Sequence, residues 1–76
     1  MREPVRDVEV RGVVRLGQLL KLAGLVDTGA DAKAVLEAGE VTVGGRPEVR
    51  RGRQLADGDV VAVGGARVRV RVLPEG

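Results

Sequence analysis

Four arginines, Arg46, Arg50, Arg51 and Arg53, fall within eight residues, and the single acid among them is Glu48. Guanidinium groups at this density repel one another unless an anion meets them. Their planar forks match the oxygens of phosphate, so the chemistry on offer is capture of a polyanion's backbone with little reading of sequence. A second set lies earlier in the chain. Arg15, Gln18 and Lys21 belong to one helical stretch, and Thr28-Gly29 opens another, followed by Lys33. The start of a helix offers free backbone N–H groups to an anion, which makes Thr28-Gly29 a candidate contact rather than a cap alone. The plainer account of these groups is a solvated loop, a capping threonine and surface lysines, with Lys33 pairing Glu37 one turn on.

Other chemistries are poorly served. The chain has 76 residues with no cysteine and no histidine, and serine and tyrosine are absent as well. That leaves no thiolate, no disulfide and no soft or imidazole metal ligand. Carboxylates could move protons only in an enclosed pocket that shifts their pKa, and a domain this small encloses little volume. No catalytic residue, metal, cofactor or small-molecule substrate is therefore expected, and an enzyme is not. Aromatic content is 0%, so bases cannot be stacked on rings as single-strand binders do. A mode that follows the shape and phosphates of a folded nucleic acid fits better.

The net charge of +2 conceals segregation. Asp27, Asp31, Glu37 and Glu40 gather around Lys33, while the arginines cluster at 46–53 and again at Arg67, Arg69 and Arg71. Only Lys21 and Lys33 are lysines among 13 basic residues. GC-rich codon usage explains that preference for arginine but not the clustering. No apolar run is long enough to span a bilayer, and no leader with an apolar middle is seen, so a cytoplasmic, membrane-free protein is expected.

Positioning these groups falls to a short list of elements. Val8-Glu9-Val10-Arg11 alternates like a half-buried strand. Leu16, Leu19, Leu20 and Ala23 make one apolar helical face, closed by Gly24. Thr28 caps a second helix over about 29–38, with Ala32, Val35 and Leu36 facing inward and Gly39 ending it. Strands follow at about 41–43, 47–50, 60–63 and 66–73, joined by turns at Gly44-Gly45, Asp57-Gly58 and Gly64-Gly65. Pro47 cannot donate to a ladder and marks an edge. The expectation is an α+β fold: two short helices packed on a small antiparallel sheet of four to five strands, forming one domain over 1–76. Arg67, Arg69 and Arg71 share a strand face. Should that strand pair with the one bearing Asp7 and Glu9, cross-strand ion pairs would absorb much of their charge.

The run Arg15-Leu16-Gly17-Gln18-Leu19-Leu20-Lys21-Leu22-Ala23-Gly24-Leu25-Val26 resembles the first helix of the S-four RNA-binding domain family. Thr28-Gly29-Ala30-Asp31-Ala32-Lys33 looks like that family's second helix start. Glu40-Val41-Thr42-Val43-Gly44-Gly45 resembles its hairpin, and Gly58-Asp59-Val60-Val61 its closing strand. The likeness covers about residues 13–63, and Arg50-Arg51-Gly52-Arg53 is similar to a small stand-alone bacterial subgroup. Gly17-Gln18 stands where the common opening has Leu-Asp, Gly29 where many members have arginine, and Gly44 where asparagine is usual. The resemblance implies a non-enzymatic module for structured RNA, ribosomal RNA ahead of transfer RNA, with a ribosome-associated role. Arg46, Arg50, Arg51 and Arg53 would form one wall of its site. Arg15, Gln18, Lys21, Thr28, Gly29 and Lys33 would form the other. The rival from another class is a protein-interaction adaptor docking an acidic surface on the arginine loop. Oligomeric state stays open, with a monomer favoured.

Overall fold

The computed structural model describes residues 5–74. Strand β1 (Arg6–Arg11) leads into helix α1 (Leu16–Leu22) and helix α2 (Gly29–Glu37). Strands β2 (Val41–Val43), β3 (Arg46–Pro47), β4 (Val60–Val63) and β5 (Ala66–Leu73) follow. One sheet holds all five strands in the order β1-β5-β4-β2-β3.

Each helix forms where the apolar spacing and the caps agree. Leu16, Leu19 and Leu20 of α1 are fully buried, and Gly24 follows at φ 72, the left-handed conformation that suits a helix end. Thr28 caps α2 in extended conformation, its Oγ1 accepting the Asp31 N–H at 3.1 Å, while Ala32 and Leu36 turn into the core. The two helices cover one face of the sheet, where Val41, Val43, Val61, Val68 and Val70 meet the leucines. Burial of apolar area stabilises this core by roughly 25 cal/mol for each Å² removed from water. No ring is available to fill a gap, so branched aliphatic side chains carry the whole of it.

Gly44 and Gly45 both have positive φ, 61 and 84, as a two-residue hairpin turn of the favoured hand requires. Pro47 lies on the outermost strand, where its missing N–H costs no ladder bond. Two features depart from expectation. The strand foreseen over 47–50 stops at Pro47, because Glu48 turns inward and the chain leaves the sheet. The sheet is mixed rather than wholly antiparallel, since β1 runs parallel to β5 from Arg6 opposite Val68 to Arg11 opposite Leu73. β4 covers β5 only as far as Arg69; beyond it β5 pairs with β1 on one side and bonds the Asp57–Asp59 turn through Val70 and Val72 on the other. There Val8 and Val10 fall opposite Val70 and Val72, matching apolar with apolar. No helix among the described residues is long and apolar enough to cross a membrane.

Candidate nucleic-acid interface

The site is organised from Glu48 outward. This residue follows the edge strand, and its N–H donates to the Val41 carbonyl at 3.0 Å, which ties the start of the loop to β2. Its side chain is 9% exposed, beneath an exposed Arg50 and a half-buried Arg53. Oε2 accepts the N–H groups of Val49 at 3.0 Å and Arg50 at 3.1 Å, and the Nε of Arg50 at 3.2 Å. Oε1 accepts Nη2 of Arg50 at 3.2 Å and Nη1 of Arg53 at 3.1 Å. A carboxylate with this many donors strongly favours its ionised form. The Arg50 guanidinium above all, then the Arg50 backbone N–H and the Arg53 side chain, outweigh burial and lower the Glu48 pKa to about 2. The same contact raises the pKa of Arg50.

The next residues are pressed onto the start of α1 by main-chain bonds. Leu16 N–H donates to the Arg53 carbonyl at 2.8 Å, and Gly17 N–H to the Arg51 carbonyl at 2.9 Å. These are first-turn donors that a helix cannot satisfy itself. Arg15 and Gln54 form an isolated antiparallel bridge, and Leu55 N–H donates to the Val14 carbonyl at 2.9 Å. Arg15 Nη1 reaches the Gly52 carbonyl at 2.8 Å. The loop is thus held at both ends and across its middle, which removes the reading of it as a freely solvated segment.

Close approach is the reason for glycine at position 17. A Cβ built there would overlap Cγ of Arg51 and lie 3.0 Å from its Cδ and 3.4 Å from its carbonyl oxygen. The arginine stem lies where any other residue's side chain would begin. Gln18, the neighbouring departure from the family pattern, has a local task as well: its Oε1 accepts the Arg15 N–H at 3.2 Å, capping the helix start.

A groove of about 240 Å³ opens between these elements. Arg15, Gly17, Gln18 and Lys21 line it from the start and flank of α1, Gly29 and Ala32 from α2, and Arg51 and Gly52 from the loop. A second groove of about 290 Å³, lined by Lys33, Leu36, Glu37 and Val49, also has Arg51 on its wall. Of the ten residues expected to form the site, Arg15, Gln18, Lys21, Gly29 and Arg51 therefore meet in one concavity, and Lys33 faces the neighbouring one. Arg50 and Arg53 are turned toward Glu48. Arg46 stands on β3 opposite Val43, and Thr28 is an exposed cap; neither lines either groove. Sequence reasoning missed Gly17 and the organising part of Glu48. A glycine inside a helical pattern, and an acid whose neighbours are all basic, were the signals available.

The arginines of β5 are arranged differently. Arg69 Nη1 lies 3.6 Å from Asp7 Oδ1, and Arg71 Nη1 3.9 Å from Asp7 Oδ2. Arg71 Nε is also 3.6 Å from Asp57 Oδ1. The cross-strand pairing expected from the alternation is present.

Two helices, a glycine hairpin and a basic loop clasped to the first helix make up an S4 domain, and the model of that family matches residues 8–71: the chain belongs to it. The match takes in most of β1 and most of β5, beyond the 13–63 stretch that carried the resemblance. Among curated proteins, the chain is 47% identical over 53 residues to the probable ribosome maturation protein RlbA of Bacillus subtilis (strain 168). That alignment covers 70% of this chain and 75% of the relative.

Proposed function

We propose that this protein is a non-enzymatic, ribosome-associated RNA-binding module that recognises structured ribosomal RNA through phosphate and shape contacts. The observation that carries the reading is the convergence of Arg15, Lys21 and Arg51 on one groove, beside Gln18 and Gly29. Membership of the S4 family and similarity to a ribosome maturation protein support it. The absence of aromatic side chains favours duplex edges and junctions over unstacked single strands. The cations would meet phosphates and Gln18 would offer its amide to 2′-hydroxyls or base edges.

Binding to deproteinised ribosomal RNA, with transfer RNA in parallel, tests this across a salt series. Four to six neutralised phosphates give log K against log salt a slope of roughly −3 to −5. No complex with either RNA at low ionic strength overturns the proposal. Capture of partners from an extract with and without RNase distinguishes the adaptor alternative: partners that survive RNase favour protein docking on the arginine loop.

A further inference from the structure

The four arginines at 46–53 are not equivalent, although composition alone treats them so. Glu48 engages Arg50 through both of its oxygens and Arg53 through one. Among the described residues no ion pair forms to Arg46, which lines neither groove, or to Arg51, which lies between Arg50 and Arg53 in sequence. Arg51 is instead oriented by its backbone, whose carbonyl accepts the Gly17 N–H, and by its stem, which crosses the bare Cα of Gly17. It lines both grooves.

We propose that Gly17 and Glu48 are positioning residues that single out Arg51 as the guanidinium delivered to RNA. Glu48 ties the Arg50 guanidinium, which stays 75% exposed, and the half-buried Arg53 to itself, and fixes the loop backbone. Gly17 leaves the gap through which the Arg51 stem reaches the groove. The inference rests on the RNA-binding reading above and assigns the work within that site. A side chain at position 17 and an arginine stem in this place exclude one another.

The test is a double-mutant cycle on the full chain, read by anisotropy of a labelled ribosomal RNA stem-loop over a salt series. Arg51→Ala is expected to lower affinity about tenfold and to make the salt slope shallower by about one, as loss of one phosphate contact does. Gly17→Ala is expected to reproduce most of both changes, while circular dichroism and thermal melting show a folded domain. In the Arg51→Ala background Gly17→Ala should then cost nothing further, because the side chain it displaces is gone. A change in folded fraction alone would alter apparent affinity without altering the slope, so the slope separates positioning from stability. Arg51→Ala with unchanged affinity and slope overturns the inference, as does additive loss in the double variant. Should the wild-type chain bind no RNA at all, it is the underlying function that fails, and the two failures are told apart by that control.

Discussion

Two sets of arginines share this small domain, and their acids are used in opposite ways. On β5, Arg69 and Arg71 meet Asp7 and Asp57, and every side chain in that lattice is at least 44% exposed. Those pairs sit in water, at 3.6–3.9 Å, and exposed pairs of this kind are worth little to the fold. In the loop a single acid, 9% exposed, binds two arginines and two backbone N–H groups and so shapes the chain as well as balancing its charge. The lesson is that arginine density does not define a site. Where acids lie opposite the arginines on a neighbouring strand, charge is cancelled in place. Where one acid is buried beneath a loop, it orders the backbone and leaves the arginine between its partners directed outward.

The contrast predicts unequal responses to substitution. Reversing Arg50 and Arg51 together to glutamate should weaken RNA binding by at least about a hundredfold, with circular dichroism unchanged. The same reversal at Arg69 and Arg71 should have a far smaller effect. Equal losses from both pairs would erase the distinction between the two regions.

Glu48→Gln sharpens it further. The variant is more positive by one charge, so charge alone calls for tighter binding. Loss of the charge and of one acceptor oxygen, with an amide NH2 donor then facing the Arg50 and Arg53 guanidiniums, instead predicts severalfold weaker binding and a lower melting temperature. Tighter binding by this variant would reduce Glu48 to a mere counter-charge.

The pH dependence follows from the same carboxylate. Its pKa falls from 4.5 to about 2 in the folded chain, so the fold prefers the ionised form. Its contribution is complete above about pH 4.5 and is lost as pH drops through the window toward 2. Thermal unfolding followed across that range should show a steep acid-side decline that Glu48→Gln flattens. A parallel pair of curves would contradict the assignment.

Smallest of all is the expected result of Asp7→Asn on the sheet. It removes exposed partners of Arg69 and Arg71, which costs less than about 1 kcal/mol of stability and leaves RNA affinity within about twofold. A marked gain in affinity would mean that Asp7 masks a second RNA surface.

Much of the frame was legible in the sequence because local rules decided it. The Leu16, Leu19, Leu20 and Ala23 face, the Thr28 cap, the Gly44-Gly45 turn and the edge position of Pro47 all depend on near neighbours. The direction of β1 was not legible, since its partner β5 lies some sixty residues away and periodicity carries no sense of direction. Five of the ten site residues share the first groove because both helix starts and the loop converge there. What sorted the arginines was invisible for a different reason. A lone acid in a basic run reads as a solvated counter-ion, and a glycine within a helix reads as a weakness of about 1 kcal/mol against alanine. Only the packed structure reveals that one is buried and the other makes room for a neighbour's stem.

The most direct measurement of the central claim is a titration of the domain with ribosomal RNA, followed by its backbone amide resonances. Binding at the groove predicts that Gly17, Gly29 and Gly52 shift or broaden first, while Arg67, Arg69 and Arg71, on the opposite face of the sheet, hold still. Shifts confined to Arg67, Arg69 and Arg71, with those three glycines unmoved, would contradict it.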